Sequence, residues 1–271
     1  MRIRIGFELA FDVPAGAVPM LLMLYVHPEQ AHVLERPEWL RTDPVVDVRT
    51  FVDGFGNRAA RMVAPPGKLV LTYDNVATDS GEPEPSIEGV ILHPVDDLPD
   101  AVLPFLLASR YCEVDRMTPM AWDLFGNTPQ TWERVRRIVD WAHDRIEFGY
   151  QYASATMGAF DACEKGQGVC RDYMHLAITM LRAMNVPARY ATGYLGDIGV
   201  PPNPAPMDFS AYLEVYLSGR WWPMDARHNT PRIGRIKQAH GRDAVDVALT
   251  TSFGFTKLEK FLVWTDELKS E

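Results

Sequence analysis

Cysteine is scarce in this 271-residue chain: Cys112, Cys163 and Cys170 are all there are. Three thiols at these spacings give neither a disulfide scaffold nor a tetrahedral zinc site. No apolar run reaches the length needed to cross a bilayer. The opening residues, MRIRIGFELAFDVPAG, lack the uninterrupted apolar stretch of a signal peptide, so a soluble, cytoplasmic protein without a membrane partner is expected. Positive charge is also short, with a net charge of −9. That disfavours nucleic acid, whose binding rests on Lys and Arg neutralising phosphates. There is no phosphate-binding glycine loop of the P-loop type and no carboxylate cluster of the EF-hand type, so no cofactor and no metal is expected.

What is present is an ordinary globular composition, with 47% hydrophobic and 23% charged residues. Residues 1 to about 110 read as short strands broken by turns. Leu21–Val26 is one apolar strand, Val45–Val52 alternates, Asp53-Gly54-Phe55-Gly56-Asn57 supplies hairpin chemistry before Arg58–Val63, and Leu69–Tyr73 follows. This pattern predicts an all-β sandwich over residues 1–115, with a boundary at about 115–127. Residues 116–271 predict helices packed on an antiparallel sheet, an α+β arrangement. Thr128-Pro129 reads as a helix N-cap with proline at the first helical position. A second helix follows Cys170 with Leu176, Ala177, Met180, Leu181 and Met184 along one stripe.

Cys170 lies between the glycine-rich turn Gly166-Gln167-Gly168-Val169 and that helix. Backbone N–H groups at a helix N-terminus stabilise a thiolate and lower the thiol below its usual value of about 8.5. Asp172, two residues on, reads as a capping and dipole residue. Downstream, Ser218-Gly219 is a two-residue hairpin turn that pairs Leu217 with Arg220. Alternation then puts Ser210, Tyr212, Glu214, Tyr216, Trp221, Pro223, Asp225 and Arg227 on one face, expected to carry a site, and an apolar set on the other.

Several stretches resemble bacterial transglutaminase-like proteins, a superfamily with the papain-like fold of cysteine proteases and acyltransferases. They are GVCRD (168–172), PARYATGY (187–194), SAYLEVYLSGRWWPMDARHN (210–229) and GRDAVDVALTTSFG (241–254). DGFGN and DLPDAVLPFLLASRYCE resemble the β-sandwich that precedes the catalytic domain in that family. The resemblance implies a Cys-His-Asp triad that attacks an amide through a thioester. It assigns the nucleophile to Cys170 and the orienting carboxylate to Asp225. The family's histidine position holds Ser210, whose hydroxyl is no general base at neutral pH.

Other histidines are candidates for a surrogate base. His228 follows Asp225 by three residues, and in a regular strand it would point away from it. His175 is about 140° round the helix from Cys170. His240 precedes Gly241 in an expected loop. Tyr212 and Arg227 would line the site, Arg227 pairing with Asp225 or holding a substrate carboxylate. An oxyanion donor is expected among Tyr150, Gln151 and Tyr152. Two functions follow: a thiol enzyme on peptide or protein amides with a rearranged proton shuttle, or a non-catalytic relative that binds a peptide or protein partner in the old cleft.

Overall fold

The computed structural model describes residues 1–14 and 16–269. Strands β1 (Arg2–Val13), β2 (Val18–Leu22), β3 (Arg41–Asp43), β4 (Arg49–Val52), β5 (Arg58–Ala64) and β6 (Gly67–Thr78) come first. Helices α1 (Val114–Phe125) and α2 (Trp132–Arg145) follow, then β7 (Glu147–Phe148), α3 (Ala159–Lys165), β8 (Gln167–Gly168) and α4 (Cys170–Ala183). The chain ends with β9 (Ala188–Tyr194), β10 (Ser210–Leu217), β11 (Arg220–Met224), β12 (Ile236–Gly241), β13 (Thr250–Ser252) and β14 (Lys257–Leu268).

Two four-stranded sheets, ordered β14-β1-β6-β3 and β13-β2-β5-β4, form the sandwich. Its core is the period-two face of β1, where Ile3, Ile5, Phe7, Leu9, Phe11 and Val13 all turn inward, against Leu69, Leu71 and Tyr73 of β6. The β4–β5 hairpin forms as the sequence implies, with Asp53 Oδ1 accepting from the N–H groups of Phe55 and Asn57 at 2.8 Å each. The apolar run 21–26 is a strand only to Leu22, and the alternation from Val45 becomes a strand only at Arg49.

The sandwich is not built from the first 115 residues alone. β14 pairs with β1 from Arg2↔Leu268 to Asp12↔Lys257, and β13 pairs with β2. The 116–271 span therefore gives two strands back to the N-terminal unit. Nothing in local periodicity signals this, because strand pairing is a long-range choice. The expected boundary region is α1, with Pro119 inside it. The N-cap of α2 is Thr131, whose hydroxyl accepts from Glu133 N–H, and not Thr128. Thr128 instead lends its carbonyl to the buried Arg134 guanidinium.

The second unit packs α1, α2 and α3 around α4, and α4 onto the sheet β11-β10-β9-β12. α4 is buried on every side from Asp172 to Ala183, wider than the single stripe the sequence suggests. Its buried polar groups find backbone partners: the Arg182 guanidinium donates to the carbonyls of Ala188, Leu107 and Arg242. Close approach in the sheet requires Gly193, since a Cβ there would lie 2.1 Å from the Ile236 carbonyl oxygen of β12. Among the described residues no helix is long and apolar enough to cross a membrane.

Candidate active site

The β10–β11 hairpin fixes one wall. Ser218 and Gly219 both have positive φ (45° and 77°), the geometry of a two-residue primed turn. The register runs Leu217↔Arg220 to Leu213↔Met224, as the turn implies. The apolar face (Leu213, Val215, Leu217, Trp222, Met224) joins the α4 core. The other face is not an open site. Glu214 is buried there between Arg189 (2.6 Å) and Lys237 (3.0 Å), Tyr212 lies under the Arg235 guanidinium, and Tyr216 packs with Leu98 and Val102. β12 and the segment 98–106 cover the middle of this face; its Ser210 end borders the cavity at Cys170, and Pro223 and Asp225 border another on the α2 side.

After Met224 the strand stops. Asp225 Oδ1 accepts from the N–H groups of Arg227 and His228 at 3.0 Å each, and its carbonyl accepts from Asn229 N–H at 2.8 Å. This Asx-type turn reverses the chain. His228 therefore faces back, with Nδ1 2.9 Å from Asp225 Oδ2, where a regular strand would have turned it away. Arg227 is not opposite Ser210 and does not pair with Asp225. Its guanidinium stacks 3.8 Å from the Phe148 ring. The arginine on Asp225 is Arg235, whose Nη2 donates to Oδ2 at 3.1 Å while Nη1 donates to Ser210 Oγ at 3.3 Å and Nε to Glu84.

Burial alone would raise the Asp225 carboxyl, but His228, Arg235 and the turn N–H groups outweigh it and hold it well below the usual carboxylate range. A depressed folded pKa stabilises the fold above the unfolded pKa of about 3.9 and loses that contribution as pH falls further. Asp225→Asn is therefore expected to flatten the acid limb of Tm against pH below about pH 4. A limb identical to that of the parent protein would place the acid sensitivity elsewhere.

Cys170 is the first residue of α4, half-buried, at the meeting of two cavities. The narrow one, about 80 Å³, is lined by Ser210, Asp208, Arg227, His228 and Arg232 among others. The wide one, about 550 Å³, runs past Tyr111, Tyr190, Val245, Val247 and Leu249. Tyr150 borders both, whereas Gln151 and Tyr152 border neither. Asp172 caps α4 as expected, Oδ2 accepting from Val169 N–H at 2.8 Å.

The thiol does not match the sequence expectation. Burial, and then the Asp208 carboxylate, push Cys170 up to about 11, against the opposing pull of Arg227 and the N–H groups of Ala211 and Arg171. The helix terminus acts in the expected direction but is outweighed. His175 is no surrogate base. It is fully buried, stacked between Tyr111 and Tyr190, and its Nε2 accepts from Ala244 N–H, with burial holding it well below its ordinary pKa. His240 lies within β12, buried, with Nε2 2.9 Å from Arg189 Nη1.

Asp208 and Arg232 line the candidate site and Arg235 bridges Ser210 to Asp225; sequence reasoning missed all three. Asp208 was within reach of it, as the last charge before β10. The two arginines sit in PRIGR, a stretch with no periodicity to read. Among the described residues no group of three or more His, Cys, Asp or Glu side chains is placed to hold a metal.

A sequence model of the transglutaminase-like superfamily matches residues 120–226, which run from within α1 to the Asp225 turn and include Cys170 and Ser210. A crystal structure of a proposed cysteine protease from Cytophaga hutchinsonii is similar over the whole chain, with TM-score 0.85, 28% identity and 92% of that protein covered. An uncharacterized protein of Mycobacterium leprae is 24% identical over 81% of this chain and 79% of its own length. One from Mycobacterium tuberculosis is 31% identical over 58% of this chain, which spans about half (53%) of that relative. With whole-chain likeness to the Cytophaga fold, a cysteine opening α4 and an aspartate just past β11, residues 120–226 are a transglutaminase-like superfamily domain.

Proposed function

We propose that the protein is a slow thiol amidase or acyltransferase acting on peptide-type amides, with Cys170 as nucleophile and His228, oriented by Asp225, as the proton shuttle. The observation that carries this reading is the His228 Nδ1–Asp225 Oδ2 contact of 2.9 Å on the wall of the cavity that Cys170 also lines. A buried carboxylate on one ring nitrogen leaves Nε2 as the free base, the arrangement a shuttle needs.

The Cys170 thiol passes its proton to the imidazole as sulfur attacks the amide carbon. The C–N bond then breaks as the imidazolium protonates the leaving amine, leaving a thioester on Cys170. Water attacking the thioester completes hydrolysis; an amine attacking it completes transfer. In both cases the attacking group's proton returns through the imidazole to the thiol. Hydrolysis is the default outcome wherever nothing excludes water from the thioester.

The test is acyl-enzyme formation with an activated acyl ester, followed by mass spectrometry. Cys170→Ser is expected to abolish the adduct. His228→Asn is expected to slow its formation and breakdown by roughly 10²–10⁴-fold. An unchanged rate in His228→Asn removes the histidine from the mechanism.

A second reading is a cleft-binding protein that performs no chemistry. Two observations favour it: the Cys170 thiol pushed up to about 11, and a serine bonded to Arg235 where the family has its base. Under that reading no acyl ester loads Cys170 although cleft ligands bind.

A further inference from the structure

The two cavities at Cys170 differ in chemistry, and the position of His228 says which is which. A shuttle serves the amine, protonating it as it leaves or deprotonating it as it attacks. His228 borders the narrow cavity and not the wide one, so the amine half of the substrate occupies the narrow side and the acyl half the wide side. This assignment rests on the proposed thiol chemistry.

The wide side is largely apolar at Tyr111, Tyr190, Val245, Val247 and Leu249, with Arg171 and Asp208 at its Cys170 end. The narrow side carries charges of both signs. Arg232 is only 5% exposed. Its Nη2 donates to the Gly196 carbonyl at 3.0 Å, its nearest carboxylate, on Asp197, is at 3.7 Å, and its Nε has no partner. A buried guanidinium with an unused donor is costly unless something fills it. Arg227 lies between the Phe148 ring and the Tyr150 hydroxyl, with no carboxylate in ion-pair range among the described residues. Asp208, whose carboxylate is close enough to Cys170 to raise its thiol pKa, faces the same space.

We infer that the narrow cavity takes the carboxylate of a small amino acid, held by Arg227 and Arg232, with its nitrogen beside Asp208 and Cys170. The substrate class is then an N-acyl amino acid, or a peptide cleaved at or extended by a C-terminal residue, with an apolar acyl part in the wide groove. Volume agrees: about 80 Å³ admits a glycine- or alanine-sized unit and not a folded chain. The acids Asp197 and Asp208 discourage a doubly negative head group.

Isothermal titration of the full-length protein with N-hexanoylglycine and with N-hexanoylglycinamide tests this without requiring turnover. Charge-assisted hydrogen bonds to the carboxylate are expected to make the acid bind roughly tenfold or more tighter than the amide. Arg227→Gln, at a half-buried position, is expected to erase the preference, and Arg232→Gln to do the same if it folds. Equal affinity for both compounds, binding of neither at millimolar concentration, or a preference that survives in Arg227→Gln overturns the inference. If acid-selective binding occurs without any cleavage, the subsite stands and the thiol chemistry falls. If both compounds are cleaved alike, the reverse holds.

Discussion

Ser210→His is expected to raise acyl-transfer or hydrolysis rates by about 10²–10⁴-fold, the contribution of one positioned general base. Around residue 210 the candidate site already holds the proposed nucleophile and its carboxylate. Ser210 opens β10 opposite Gly193, and the N–H of the next residue, Ala211, points at the Cys170 sulfur. Arg235 already links Ser210 Oγ (3.3 Å) to Asp225 Oδ2 (3.1 Å). Ser210 and Cys170 line the same cavity of about 80 Å³, so a larger side chain at 210 has space on the nucleophile's side while Arg235 ties it to the carboxylate. A second readout follows from the thiol. In the present protein, iodoacetamide should label Cys170 with a midpoint near the thiol pKa of about 11. An imidazolium beside the sulfur would pull that midpoint down by several units. A folded Ser210→His protein with neither faster turnover nor a shifted labelling midpoint would mean that Cys170 and Asp225 no longer form a usable catalytic frame.

Glu214→Ala is expected to destabilise the protein by about 3–5 kcal/mol, the usual result of removing one member of a buried ion pair. Glu214 accepts from Arg189 Nε at 2.6 Å and from Lys237 Nζ at 3.0 Å, and all three side chains are buried. Without it, two cations face each other beside the His240 imidazole, which bonds Arg189, and the His27 ring, 5.0 Å away. Burial works against the Glu214 charge, but Lys237 and Arg189 outweigh it and hold the carboxyl below its usual pKa. Its contribution is therefore intact at neutral pH and lost in acid below about pH 4. The exposed pair Lys257–Glu259, at 3.4 Å, is the control: Glu259→Ala should cost about 0.5 kcal/mol or less. Equal losses at both positions in chemical denaturation would disprove the buried-network account.

The parts of this molecule that local rules decide were readable in the chain. Ser218-Gly219 demanded a primed turn, and the turn set the register down to Leu213↔Met224. Gly166 to Asp172 marked a helix start with a cysteine on its first turn, and α4 begins at Cys170. What local rules do not decide was not readable. The direction of His228 depends on Asp225 capping its own turn: the strand ends at Met224, four residues before His228, so alternation does not reach it. The face of Glu214 looked like an open polar surface because the partners that bury it, Arg189 and Lys237, come from two other strands, β9 and β12. The thiol of Cys170 depends on Asp208 and on the depth of the cleft, neither of which spacing reveals.

The pairing of β14 with β1 also sets an order of events during synthesis. β1 is made about 240 residues before β14, so one edge of β1 has no partner until β14 has left the ribosome. Until then it presents a row of free N–H and C=O groups and the alternating apolar residues of a strong strand, the features that recruit foreign strands. The α4 core has no such dependence on the final strand, so it can consolidate first and the sandwich closes afterwards. A fragment ending before β13 would keep every residue that lines the narrow cavity and still carry an open sheet edge, making it prone to aggregate for reasons unrelated to its chemistry.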